Sequence, residues 1–508
     1  MKYINESNYN NIAISFLLFA YVLGFFLIFD YGQSFDVFIM ERNAEKAIEF
    51  YETLDDEEFL GDAPHDQLYG PIVDIAVHLL QESSNDKVTD HYIRTAFYWA
   101  LHASIIFPIF WLVRSHSNPL FASFSSITIL LIPSIFGHAY MNPKDMPFAA
   151  LYVWTLYLSS LIHKRYSAYV LMGCGVLIGL LVSIRVIGVL LIPVILIFIA
   201  EKFKKLKAIV LLFSAFSLIS IVVYILSMPY IIARGSISAF FEIIEKFSQF
   251  NWYGSVKYFG DFYPSTELPT FYIIGMLYAK LPPIILIGVV LMIASWLTRL
   301  FLKSNNFTVL EVCIALSWII PIIVLLSFQP VMYDGLRHFI FIIPPLGISI
   351  SIALYYLVYS LSLIFRNIIF FVFLALLSMQ VWSMIKLHPY QYAYTNFLVD
   401  GNDFEADYWG ISFKQIAEFI NLNRSEKGGF EDIDLVFVCG PSFSLSRFLP
   451  DEIEVVWERG PTEDKDVFLI ALINRVNCYD NFKEAETVHE IFRDDVSISK
   501  LKIFRNTD

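Results

Sequence analysis

The feature that most restricts this chain is a series of apolar runs, each about 17 to 25 residues long, filling the first 385 positions. A helix needs roughly 20 such residues to cross the hydrocarbon layer. A soluble core of similar size would be interrupted by polar faces. Here 57% of 508 residues are hydrophobic and only 16% charged, so the runs read as spans of a polytopic α-helical membrane protein. The 48 Phe and 29 Tyr residues suit lipid contact and interfacial anchoring.

Eleven spanning helices give a consistent topology, near 12–29, 95–113, 119–137, 146–162, 168–184, 186–200, 208–228, 270–297, 309–328, 338–360 and 367–385. Arg185 separates two short apolar runs, and a single broken helix there would reverse everything downstream. The polar start from Met1-Lys2, with no small-x-small cleavage pattern after the first run, reads as a signal anchor rather than a cleaved leader. The connections fall into two sets. One is short and basic, with Arg114, His163-Lys164-Arg165, Lys202 to Lys207, Arg299 with Lys303, and Arg366. The other holds an acidic first loop, the turn Asn142 to Asp145, the 230–269 loop and the turn Tyr333 to Arg337. The positive-inside rule places the basic set and the N terminus in the cytoplasm. The second set and the C-terminal tail are then extracytoplasmic.

The first outer loop, 30–94, is too long for a connector. Two stretches in it have helical periodicity: Glu41 to Phe50, and the residues after Pro71. The spacing predicts short helices lying along the membrane surface. A third amphipathic piece, Ala239 to Phe247, opens the 230–269 loop.

Composition changes abruptly at Lys386. A helix over Phe413 to Asn421 and strands over Asp434 to Val438, Glu454 to Trp457 and Asp466 to Ile470 predict a small α/β domain over 386–508. Residues 1–385 form the membrane domain. Cys439 and Cys478 share the tail and can pair in an oxidising compartment. Cys174 and Cys313 read as small core residues. The net charge of -13 and the absence of a folded basic surface argue against nucleic acid as a partner.

Several polar groups fall at the outer ends of the spans. Asp36, just beyond the first helix, is placed to take a proton from an acceptor, although Asp30 and Glu41 are equally available. In Gly137-His138-Ala139-Tyr140-Met141-Asn142-Pro143-Lys144-Asp145-Met146-Pro147, two prolines stiffen a short turn. There Lys144 can balance phosphate charge, and Asp145 can orient a hydroxyl or contribute to a metal site. The bland reading is a Lys144–Asp145 pair that caps a helix. Arg185 is costly in hydrocarbon unless it snorkels or meets a polar cavity. Arg337 and His338, in Tyr333-Asp334-Gly335-Leu336-Arg337-His338, can hold an anionic lipid phosphate, or Arg337 can pair locally with Asp334. Lys280 adds another outer cation.

Together these residues resemble the GT-C type, polyprenyl-phosphate-sugar-dependent glycosyltransferases. The branch resembled is that of the dolichyl-phosphate-mannose protein mannosyltransferases and aminoarabinose transferases. The resemblance covers about 12–385. In that superfamily an Asp-Glu pair opens the first outer loop; here Asp36 stands in the matching place, followed by Val37. A second-loop acid corresponds to Asp145. His388-Pro389-Tyr390-Gln391-Tyr392 and Asp407-Tyr408-Trp409-Gly410 also resemble segments of this group.

The resemblance implies an inverting glycosyl transfer from a polyprenyl-phosphate sugar to a protein, lipid or glycan acceptor. It implies Asp36 and Asp145 as catalytic residues, and Lys144, Arg185, Arg337 and His338 at the donor phosphate. Tyr140, Asn142, Glu267 and Tyr333 would form the acceptor or sugar pocket. No cofactor is certain, and a divalent metal is left open. A lipid or lipid-linked-sugar transporter is the main alternative, since it too would use intramembrane Arg and broken helices. Against it, the polar groups gather at one interface and no inverted repeat is visible. A receptor or scaffold leaves the proline-fixed turns unexplained.

Overall fold

The computed structural model describes residues 6–61, 66–84, 86–164, 167–248, 252–301, 306–425, 429–431, 433–457, 467–475, 478 and 482–505. Met1, Lys2, Arg165, Lys303 and Asp466 lie outside the described residues. Among the described residues, nine helices are long and apolar enough to span a membrane: Tyr9–Leu27, Lys87–Arg114, Asp145–Lys164, Val186–Phe203, Leu206–Leu226, Pro283–Phe301, Val309–Phe328, Arg337–Tyr359 and Leu363–Leu387. A tenth span is a pair, Pro119–Leu130 and Pro133–Met141, bent by 65°. The chain is a multi-pass membrane protein.

The differences from the expected eleven spans trace to prolines and to one arginine. Ile132, before Pro133, is extended at ψ 120°, and this breaks the third span. Leu281, before Pro282, is extended at ψ 139°, so the single helix expected at 270–297 is two, Tyr272–Lys280 and Pro283–Phe301. The Ala168–Ile184 helix has only 17 residues. Arg185, extended at φ -149° and ψ 125°, separates it from Val186–Phe203. These are two antiparallel elements, not one broken helix. Lys202, at the far end of the second, donates to the His163 carbonyl at 3.1 Å. Ser183, at the end of the first, accepts from the Gly70 N–H in the first loop at 2.9 Å.

The first loop is largely helical. Phe35–Thr53 buries Asp36, Val37, Met40, Ala44 and Ala47, a stripe at helical spacing that packs onto Ile72–Gln81. Ser238–Ser248 forms near the expected place, and an antiparallel hairpin follows, Ser255–Tyr258 with Asp261–Pro264.

Beyond Leu387 the chain builds a five-stranded sheet in the spatial order Glu454–Val456, Leu435–Cys439, Val467–Ile473, Val496–Arg505, Glu486–Arg493. The first three strands are parallel; the last two add antiparallel. The Phe413–Ser425 helix covers one face, and Cys439 is disulfide-bonded to Cys478. This region grips the first loop. Arg447 forms a bidentate pair with Glu41 at 2.8 and 2.9 Å, and its Nε donates to Gln33 at 2.5 Å. Gly137 lets the bent span approach the segment after Leu387, because a Cβ there would lie 2.5 Å from the Tyr392 nitrogen.

Candidate active site

Asp36 lies in the first turn of the Phe35–Thr53 helix. Two contacts fix that turn. The Ser34 hydroxyl donates to the Met141 carbonyl at 2.6 Å, and the Phe35 N–H donates to the Trp409 carbonyl at 2.9 Å. The start of the helix is therefore held both by the membrane bundle and by the segment that leads into the sheet.

Asp145 starts its own helix, and Asn142 organises the turn before it. The Asn142 oxygen accepts from the N–H groups of Lys144 (3.1 Å) and Asp145 (2.8 Å), while its amide donates to Asp145 Oδ2 at 3.0 Å. Asn142 is fully buried, so it shapes the turn. The helix N-terminus favours the Asp145 carboxylate.

Arg337 joins the two carboxylates. Its Nη2 donates to Asp36 at 2.6 Å and its Nε to Asp145 at 3.2 Å. Arg185 pairs with the other oxygen of Asp145, and Lys144 lies 4.0 Å from Asp36 and 4.3 Å from the Tyr69 ring centre. Burial alone would raise the Asp36 carboxyl, but the positive charges of Arg337 and Lys144 outweigh it and hold the group below its ordinary value. Asp36 is thus ionised at neutral pH.

These groups border a cavity of about 420 Å³. Asp36, Lys144, Arg185, Tyr333, Arg337 and His338 line it, and Asp145 stands behind them with 2% exposure. Lys144, Arg185 and Arg337 against Asp36 and Asp145 leave a surplus of one positive charge, and Lys246, also on the lining, is paired with Glu242 at 2.9 Å. Buried nitrogens of Arg185 (Nε), Arg337 (Nη1) and His338 (Nδ1) have no hydrogen-bond partner among the described residues. An anion with several oxygens is the chemistry that would satisfy such a set.

The rest of the wall is aromatic. Trp252 stacks on Tyr333 at 4.3 Å, and Tyr408 lies 5.8 Å from Tyr333. Asp407 fixes the Tyr408 segment. It accepts from the Tyr392 hydroxyl (2.6 Å), the Ser412 hydroxyl (2.5 Å) and the N–H groups of Gly410 (2.9 Å) and Ser412 (3.1 Å). Arg475, from the end of a sheet strand, sits 4.3 Å from the Tyr408 ring centre. Flat rings edged by polar groups suit the C–H face of a sugar.

Three pocket candidates from the sequence do not line the cavity, and one of them is Asn142, buried in the turn it organises. Tyr140 stacks between Tyr31 and Trp99, at 4.1 and 4.6 Å, and donates to the Gly24 carbonyl, so it is a core residue outside the cavity. Glu267 is exposed beyond the hairpin and does not line the cavity. Lys280 lines a separate small pocket with Asp334 and Glu405. Tyr69, Trp252 and Arg475 were not singled out from the sequence. The aromatic content of the 230–269 loop was the only signal for Trp252, and Arg475 had none.

Among the described residues, no group of three or more His, Cys, Asp or Glu side chains is arranged to hold a metal ion. Both carboxylates of the site face arginines instead. The described residues of the site do not form a ligand set for a metal ion.

Fold and site together place the chain in a class: multi-pass membrane proteins with a charged cavity beneath a small β-rich region. Among solved structures it is similar to ArnT from Cupriavidus metallidurans, in the crystal structure bound to undecaprenyl phosphate. There the match covers 96% of this chain and 97% of that one, at a TM-score of 0.50 and 12% identity. The apo form of ArnT gives 0.49 and 11% over the same shares. The likeness is one of fold. No protein-family model and no curated protein sequence matches the chain.

Proposed function

We propose that this protein transfers a sugar from a polyprenyl-phosphate donor to an acceptor, with inversion at the anomeric carbon. The observation that carries the reading is Arg337 bridging Asp36 and Asp145 at the wall of a cavity that also presents Lys144, Arg185 and His338. The ArnT structure of the same fold was solved with undecaprenyl phosphate, which supports a lipid phosphate as the anion.

In this reading Lys144, Arg185, Arg337 and His338 hold the donor phosphate, and Tyr333, Trp252 and Tyr408 carry the sugar. Asp36 accepts the acceptor proton as its oxygen or nitrogen bonds to the anomeric carbon. The carbon–oxygen bond to phosphate breaks, and its electron pair stays on the phosphate, stabilised by the arginines. Asp145 keeps Arg185 and Arg337 aimed at the leaving group. Asp36 is a weak base while Arg337 neutralises it. A donor phosphate competes for Arg337, loosens that pair and raises the basicity of Asp36 only when substrate is present.

The membrane part, 1–385, would be catalytic and 386–508 an extracytoplasmic cap, with the N terminus cytoplasmic. The Cys439–Cys478 disulfide supports an oxidising compartment for the cap. The acceptor class stays as broad as the sequence left it: protein, lipid or glycan.

The test is transfer by purified protein in vesicles supplied with a panel of radiolabelled polyprenyl-phosphate sugars, against the corresponding nucleotide sugars. Label moving to membrane acceptors from a polyprenyl donor alone supports the reading. Transfer from nucleotide sugars alone overturns it.

A further inference from the structure

A second cavity lies away from the charged site, within the membrane part. It is about 610 Å³ and almost wholly apolar, and it lies along the Leu363–Leu387 helix. That helix stands apart from the bundle: only 11% of its apolar window is buried, against 83% for Arg337–Tyr359. Its half nearer the sheet is tied down. Gln380 donates to the carbonyls of Leu131 (2.5 Å) and Thr128 (3.2 Å), which the break before Pro133 leaves without helical partners. Its other half is splayed, with Phe370 and Phe373 facing Phe16, Ser351 and Leu354 across the cavity.

The mouth is cationic. Arg366 lines the cavity at the membrane face opposite the C-terminal region. Its Nε donates to the Leu361 carbonyl at 2.9 Å, and its guanidinium lies 4.5 Å from the Tyr359 ring centre. Tyr359 lies tilted against Tyr355 at 4.9 Å, and Arg114 reaches the same end of the cavity, since it holds the carbonyl of Ser117, next to Asn118 on the cavity lining. Arg114 itself bonds only neutral oxygens, Asn10 Oδ1 and the Ser117 carbonyl. Neither arginine has a carboxylate partner among the described residues. Two uncompensated guanidinium groups at an interfacial aromatic pair are suited to a lipid phosphate, with a dry slot for an acyl chain leading from it.

We infer that this cavity is a binding site for a phospholipid with an anionic headgroup, which holds one acyl chain between the Leu363–Leu387 helix and the bundle and its headgroup at Arg114 and Arg366. Charge complementarity selects the headgroup, and the apolar slot retains the chain. The site wedges the outer helix at one end while Gln380 pins the other. It is independent of the donor cavity and of the proposed reaction.

The test is retention of lipid by the full-length protein. Detergent-purified protein is exchanged against an equimolar mixture of phosphatidylglycerol and phosphatidylcholine, and the lipid that stays bound is counted by mass spectrometry. About one retained molecule is expected, with phosphatidylglycerol preferred by about fivefold for each guanidinium that engages it. Arg114→Gln with Arg366→Gln should bring the preference close to one without emptying the site. Ser351→Phe, which fills the slot, should lose retained lipid of both kinds in protein that stays monodisperse. Equal retention of the two lipids by wild type, retained lipid unchanged by Ser351→Phe, or capture of a polyprenyl phosphate in place of the phospholipid would overturn the inference.

Discussion

Arg337 Nη2 lies 2.6 Å from Asp36 Oδ2, a contact between residues 301 positions apart. Each is buried, and their pairing offsets the cost of burying both charges, with Asp145 as a second carboxylate for Arg337 and Lys144 as a second cation near Asp36. The pair joins the first outer loop to the start of the central Arg337–Tyr359 span. The two ends of the membrane chain therefore meet at the cavity, and any anion that enters it must compete with Asp36 for the same guanidinium.

Arg185 gives the least disruptive test of the phosphate site. Its side chain is 19% exposed, and Asp145 keeps Arg337 as a partner when Arg185 is replaced. A hydrogen bond to a charged group contributes roughly 1.5 to 3 kcal/mol. Arg185→Gln should therefore raise KM for a polyprenyl-phosphate donor by about 10- to 100-fold, with a smaller change in kcat. Steady-state kinetics on the purified variant checks this, and an unchanged kcat/KM would speak against donor contact.

The competition for Arg337 has a pH signature. In the free protein Asp36 is held below its ordinary value, so the acid limb of kcat/KM should lie below the usual carboxylate range. Once phosphate draws Arg337 away, the Asp36 pKa rises, and the acid limb of kcat should fall at higher pH than that of kcat/KM. Coincident limbs would mean that Arg337 stays on Asp36 throughout.

How far the sequence foretold this arrangement depends on what carried the signal. The spans were legible because hydrocarbon thickness sets their length. Asp36, Lys144, Asp145, Arg185, Tyr333, Arg337 and His338 stood out because charge and proline are conspicuous at span ends, and the fold brings six of them to the wall of one cavity with Asp145 behind it. Tyr140 looked alike in sequence but turns into the core. The breaks at Ile132 and Leu281 needed the rule that the residue before proline avoids helix, which the prolines at 133, 282 and 283 offered. The last two strands escaped notice because their turn is Asp494-Asp495, both at positive φ, in place of an Asn-Gly pair. Arg475 joins the aromatic wall only through tertiary packing, which no local pattern encodes.

Asp334 offers a stability test beside the site. It lies at φ 56° in the turn before Arg337, and burial raises its carboxyl to about 7, against the opposing pull of Arg337 and Lys280 and with the help of Glu405. A carboxyl raised in the folded state favours folding while protonated. Its penalty is absent below the unfolded value near 4, grows as pH rises, and is complete above about 7. Asp334→Asn, which keeps a residue tolerant of positive φ, should raise the melting temperature at pH 8 and leave it little changed at pH 4. Thermal unfolding at the two pH values decides, and equal shifts at both would show that the effect is not one of ionisation.

The most direct test of the account is single-turnover transfer from a bound polyprenyl-phosphate sugar by wild type and by Asp36→Asn, with donor affinity measured on the same samples. Asn keeps the size of the side chain and its contact distance but cannot take a proton. Donor affinity should equal or exceed that of wild type, because Arg337 is freed, and the transfer rate should be lower by about 10²- to 10⁴-fold. Transfer at the wild-type rate by a variant that binds donor normally would contradict it.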